Sequence, residues 1–128
     1  MTREQVEDWI RRYERAWRAP GTEALRELFT DGATYLQAPY RDPVVGLEAI
    51  AGMWERERVG PDEEFDMTSE VFAVEGEQAV ATVEVLYRDP RRREEFRDVW
   101  LMRFEDGRCA HFEEWPFWPG KSYTPADS

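Results

Sequence analysis

The chain has 128 residues, enough for one domain (1–128, core about 4–118) and too few for a second core. Its net charge of −11 would repel phosphates, so neither nucleic acid nor an anionic membrane surface is an expected partner. Hydrophobic residues make up 41% and aromatics 14%, with six tryptophans, so the large rings require a substantial core, a lined cavity, or both.

The N-terminus, MTREQVEDW, is charged at once and lacks the apolar stretch of a signal peptide. No later run approaches the ~18 apolar residues of a membrane span. Cys109 is the only cysteine, which rules out an intramolecular disulfide and makes the cytoplasm the expected location. Lys121 is the only lysine among 17 basic residues, a bias typical of a GC-rich bacterial genome.

Thr2 and Gln5 have the spacing of a capping box. Val6, Trp9, Ile10, Tyr13, Ala16 and Trp17 follow at helical intervals, and Pro20-Gly21 ends the helix. Thr22 is the expected cap of a short second helix with Leu25, Leu28 and Phe29 on its apolar face. Asp31-Gly32 is read as a turn into a short strand, ATYLQA, followed by a proline-rich loop, PYRDPVVG. Gly46 precedes a third helix with Leu47, Ile50, Ala51 and Trp54 as its stripe. VGPDEE is a polar break.

The period then changes to two. Residues 65–75, 78–88, 95–105 and 108–118 read as consecutive strands, with turns at Gly76, DPRRRE and Asp106-Gly107. YTPADS reads as a frayed tail. Helices followed by an antiparallel meander predict an α+β domain: a cone-shaped, curved, mostly antiparallel sheet wrapped around three N-terminal helices.

Three segments in this order, ALRELFTDGATY, GLEAIAGMWER and DVWLMRFEDGRCAHFEEW, resemble the nuclear transport factor 2-like superfamily and its SnoaL-like branch. The resemblance spans about residues 4–118. It implies a pocket between curled sheet and helices, a small hydrophobic ligand and pairing of two copies through the outer sheet face. It does not imply one reaction, because the superfamily holds isomerases, cyclases, dehydratases, epoxide hydrolases and non-catalytic binders.

A two-residue turn at Asp106-Gly107 sets Phe104 opposite Cys109, and closure of the preceding hairpin by DPRRRE sets Tyr87 opposite Phe96. One face then carries Val83, Val85, Tyr87, Phe96, Asp98, Trp100, Met102 and Phe104. It is the more apolar face and is assigned to the interior. The other carries Thr82, Glu84, Leu86, Arg97, Val99, Leu101 and Arg103, more apolar than an idle solvent face requires.

The last strand has two readings. Strict alternation from Cys109 turns His111, Glu113 and Trp115 inward, whereas a bulge turns Phe112 and Glu114 inward. Resemblance favours the bulge, because the catalytic acid of SnoaL-type cyclases matches Glu114. Pro116 and Pro119 lack N–H donors, so the ladder is expected to fail there and leave a sheet edge, with Trp118 folding over as a cover or a dimer contact.

By the same resemblance Tyr13 falls where ketosteroid isomerases place a donor tyrosine. The second donor acid of that template is Trp100 here, and its base falls near Gln37 or Ala38, neither of which takes a proton at neutral pH. That reaction is therefore set aside.

Acid–base chemistry by Glu114 or Asp98 remains, with Tyr13 as a hydrogen-bond donor. Trp17, Tyr35, Trp54, Tyr87, Trp100, Met102, Phe112 and Trp115 are the expected pocket walls. The competing reading is a non-catalytic ligand carrier or dimerisation module in which the acids are satisfied structurally. His111 and Cys109 alone make no metal set, there is no glycine-rich phosphate loop, and no cofactor is expected. Cys109 reads as a buried structural thiol, and Arg91–Arg93 as a solvated turn.

Overall fold

The computed structural model describes residues 1–58, 64–90 and 92–124. The expected polar break at 59–64 and the tail at 123–128 lie largely outside them, as does Arg91, whereas Arg92 and Arg93, expected in a turn, already pair with Asp89 and Arg88 as strand.

Helix α1 (Arg3–Arg18) opens with the capping box: Gln5 N–H donates to Thr2 Oγ1 and Thr2 N–H to Gln5 Oε1. Its buried stripe, Val6, Trp9, Ile10, Tyr13 and Ala16, follows the 3.6-residue period. Helix α2 (Leu25–Leu28) is a single turn. Thr22 does not cap it: Ala24 holds that position with no side-chain bond, and Thr22 offers only its carbonyl, to Leu25 N–H. Helix α3 (Leu47–Glu57) starts at Gly46, whose φ of +92° suits a residue without Cβ. Its fully buried residues are Ile50, Met53 and Trp54, with Leu47 and Ala51 at the margin.

The strands are β1 (Phe29–Leu36), β2 (Val44–Val45), β3 (Phe65–Glu75), β4 (Gln78–Asp89), β5 (Arg92–Glu105) and β6 (Arg108–Phe117). They form one sheet, ordered β2-β1-β6-β5-β4-β3, in which only β1 and β6 run parallel. The sheet curls around the helices without closing, as expected of the α+β cone.

Asp31-Gly32 does not start β1. The strand begins at Phe29 and runs through that pair, with a register shift between Phe29 and Thr34. The proline-rich loop contains β2, whose Val44 and Val45 pair with Tyr35 and Thr34.

The β5–β6 turn is as expected: Asp106 and Gly107 both have positive φ, the requirement of a type I′ hairpin, and Phe104 pairs with Cys109. The β4–β5 register differs by two residues, with Tyr87 opposite Glu94 and Phe96 opposite Val85. A slip of two preserves side-chain parity, so the inner and outer faces stay as assigned.

The expected edge at the chain's end is only partly present. Strand β6 lies inside the sheet, and its pairing with β5 continues through Pro116 to Phe117. Pairing with β1 stops at Leu36–Glu113, so the missing donor of Pro116 falls on a strand with one open side.

The core centres on Trp9, fully buried, whose Nε1–H donates to Leu28 O at 2.9 Å. Its ring lies within 5.9 Å, centroid to centroid, of those of Tyr13, Phe29, Phe104 and Phe112. Among the described residues no helix is long and apolar enough to cross a membrane.

Candidate functional site

The curl leaves a cavity of about 100 Å³ between the concave sheet face and the helices. Helical spacing brings Tyr13 and Trp17 to it from α1, and Met53 and Glu57 from α3. Strand alternation brings Phe65 and Met67 from β3, Val85 and Tyr87 from β4, and Phe96, Asp98 and Trp100 from β5. Tyr35 and Gln37 close one side.

Glu114 arrives through a β-bulge. Arg103 pairs with His111 and Phe104 with Cys109, so Ala110 is the extra residue. Beyond it parity reverses, turning Phe112 and Glu114 inward.

The strictly alternating set forms a polar row on the outer face instead. Thr34 Oγ1 lies 2.5 Å from His111 Nδ1, His111 Nε2 lies 3.1 Å from Glu113 Oε2, and Trp115 Nε1–H donates to Glu113 Oε1 at 2.6 Å. The Trp115 bond, aided by His111, holds the Glu113 carboxyl below its usual range. Cys109 is fully buried, and burial pushes its thiol up to about 12.

Four expected wall residues lie elsewhere. Trp54 is fully buried behind the wall, its ring 4.8 Å from Trp17 and 5.1 Å from Tyr13. Met102 and Phe112 pair with each other one step deeper than Trp100 and Glu114. Trp115 faces outward. Trp17, Tyr35, Tyr87 and Trp100 do line the cavity. Trp118 folds back beside Phe96, its Nε1–H donating to Glu94 Oε1 at 2.8 Å.

The polar groups form one buried chain. The Tyr13 and Tyr35 hydroxyls are 2.6 Å apart, and Tyr35 Oη donates to Glu114 Oε1 at 3.4 Å. Trp100 Nε1–H donates to Asp98 Oδ2 at 3.0 Å. Asp98 is 3% exposed, and its Oδ1 meets no N–H donor or hydroxyl. A side-chain hydrogen bond also joins Asp98 to Glu114.

Burial and the Asp98 charge push Glu114 well above its usual value, and Glu57 adds to this. Burial also raises Asp98, while bonds from Glu114 and Trp100 oppose the rise. The hydrogen bond between the two acids raises Glu114 and lowers Asp98, so the pair is suited to share one proton, with Glu114 the later to lose it. Glu114 opens onto the cavity and keeps some accessible surface, although protein atoms surround its carboxyl. Burial, with the Glu114 charge second, also raises both phenols, so each keeps its proton.

This proton links pH to stability. Native Glu114 retains a proton that the unfolded chain loses near its ordinary value of 4.5. Stability is therefore fully present below that value and is lost as pH rises toward the raised native value, by at most about 1.4 kcal/mol per pH unit. Glu113 runs the opposite way, with stability lost as pH falls through its lowered value. Between about pH 5 and 7, acidification is expected to raise the melting temperature of the wild type more steeply than that of Glu114→Gln. Parallel melting curves across that window would contradict the shared proton.

The cone-shaped α+β fold is that of the nuclear transport factor 2-like class. Residues 10–112 match the SnoaL-like domain, and the chain belongs to that family.

Among solved structures it is similar to a candidate SnoaL-like polyketide cyclase from Jannaschia sp. CCS1 (21% identity, 88% of this chain and 84% of that one, TM-score 0.70). It is also similar to a nuclear transport factor 2-like protein of unknown function from Mesorhizobium loti (26%, 89% and 92%, 0.66). An LEH-like epoxide hydrolase from M. tuberculosis shares the fold at 10% identity (89% and 84%, 0.66). No match was found among curated proteins.

Proposed function

We propose that the protein is an acid–base enzyme acting on a compact, largely apolar ring or carbonyl compound, as a lyase, isomerase or cyclase-like catalyst. The observation that carries this reading is the pair Asp98–Glu114, two mutually hydrogen-bonded acids, both raised by burial, at the side of an aromatic-walled cavity. Such a pair can take a proton from carbon and return one elsewhere, which proton abstraction beside a carbonyl requires. Tyr13 and Tyr35 support it by donating toward Glu114, stabilising whichever carboxyl carries charge. At about 100 Å³ the cavity suits a compact molecule, being smaller than the roughly 300–1,000 Å³ typical of drug-sized sites.

The test is hydrogen–deuterium exchange beside the carbonyl, followed by NMR, over a panel of small cyclic ketones and enones. The reading expects protein-dependent exchange for some members. Binding of those ketones without exchange would favour the non-catalytic carrier instead.

Self-association through the outer sheet face belongs to the same proposal. Leu86 is 43% and Trp115 36% exposed there, and Val99, paired with Trp115, adds to the apolar surface. Sedimentation is expected to give a dimer at micromolar concentration, with Leu86→Arg shifting it toward monomer. A wild-type monomer at that concentration would refute the interface.

A further inference from the structure

The polar groups of the cavity can be sorted into donors and acceptors. Trp17 Nε1–H is spent on Tyr87 Oη at 3.1 Å, and Trp100 Nε1–H on Asp98. The Tyr13 and Tyr35 hydroxyls are spent on each other and on Glu114. Gln37 Nε2 donates to Glu57 Oε1 at 3.3 Å. The donors converge on the Asp98 and Glu114 carboxyls, and Asp98 Oδ1 is buried without an N–H or hydroxyl partner. These donors are committed to groups of the wall, and a ligand entering the cavity meets the carboxyls of Asp98, Glu114 and Glu57.

Charge agrees with this inventory. Three carboxyls line the cavity, Asp98, Glu114 and Glu57, and among the described residues that line it there is no Arg, Lys or His. Two guanidiniums that lie against wall rings are engaged outside the cavity: Arg18 pairs with Glu14, and Arg58 donates to Ala16 O and Gly21 O. Their positions show that the wall rings accept cations. Arg18 lies 3.9 Å from the Phe65 ring centroid and Arg58 5.3 Å from that of Trp17.

We propose that the cavity takes a compact organic cation, a molecule bearing a protonated amine, held by the Asp98–Glu114 pair and Glu57 within the aromatic walls. This rests on the pocket reading above but not on catalysis. An ammonium group offers donors to these carboxyl oxygens, and its charge offsets that of the acidic wall. An anionic ligand of the same shape would meet like charge there.

The test uses three six-membered-ring probes of similar size and different charge: cyclohexylammonium, cyclohexanol and cyclohexanecarboxylate. Binding is measured by protein-observed NMR at neutral pH and physiological salt, where attraction to the distant surface charge is largely screened. The cation is expected to bind at least tenfold tighter than the alcohol, with shifts centred on Trp17, Trp100 and Glu114, and the carboxylate not at all. Glu57→Gln, at the exposed rim, is expected to reduce the cation's advantage over the alcohol.

Alcohol binding equal to or tighter than the cation's, or any comparable carboxylate binding, would overturn the cation proposal and leave the pocket reading standing. Cation binding centred elsewhere than on those three residues would also overturn it. Failure of all three probes to bind would refute the pocket reading together with it.

Discussion

Glu114→Gln is expected to abolish carbon-acid exchange while the protein stays folded. Glutamine is nearly isosteric with a neutral carboxyl and can still receive the Tyr35 hydroxyl and face Asp98. What it lacks is an exchangeable acidic proton. General acid–base groups contribute about 10²–10⁴-fold, so exchange of a responsive ketone should fall by that factor in NMR rates.

Asp98→Asn should cost about as much, because one proton serves both acids. The double variant should be little worse than either alone, as expected of residues acting as a unit. Glu113→Gln is expected to do little, since Glu113 lies on the outer face between His111 and Trp115. If Glu113→Gln were the damaging change and Glu114→Gln harmless, the site would lie on the wrong side of the sheet. Equal, small effects from both would favour a non-catalytic carrier.

Phe112→Ala is expected to produce the largest loss of stability. Phe112 is fully buried, and its ring lies within 6.1 Å, centroid to centroid, of the rings of Trp9, Tyr13, Phe29, Tyr35 and Trp100. Removing it takes away transfer free energy and leaves a void between two elements that cannot collapse freely, α1 and β6. The cost should be about 3–5 kcal/mol by chemical denaturation. Because the ring supports both phenols of the polar chain, the variant should also lose cavity binding beyond what its unfolded fraction explains. A cost under about 1 kcal/mol would mean that the ring is not the floor of the site.

Much of this arrangement can be read from the chain because the physical signals are local or periodic. The α1 stripe, the capping box and the Asp106-Gly107 turn each follow from a few adjacent residues. The faces of β4 and β5 survive a two-residue error in their register because parity is all that a face requires. Period alone does not reveal the Ala110 bulge. Cys109 and Ala110 are both buried, and nothing in CAHFEEW marks the extra residue, so only the resemblance separated the Glu114 reading from the Glu113 one.

Position on the correct face also does not distinguish wall from core. Met102 and Phe112 point inward, yet one step of the ladder puts them beneath the cavity. Trp54 shares its helix with the lining residues Met53 and Glu57, but its ring turns behind the wall. Met53, Glu57, Phe65 and Met67 were not expected at the site. Their signals, a four-residue helical step and alternation at the start of β3, exist in the sequence but do not say which end of the cone is open. The parallel β1–β6 pairing joins distant segments and has no local signature.

The central claim is that Asp98 and Glu114 share one proton at neutral pH. Its most direct test is a ¹³C NMR titration of side-chain carboxyls in protein labelled at Asp and Glu, assigned with Glu114→Gln and Asp98→Asn. The account predicts that Glu114 has the chemical shift of a neutral carboxyl at neutral pH, and that replacing Asp98 by Asn lowers its titration by removing the neighbouring charge. If all the carboxyls, Glu114 and Asp98 included, were ionised above about pH 5, as ordinary carboxylates are, the shared proton and the chemistry built on it would be contradicted.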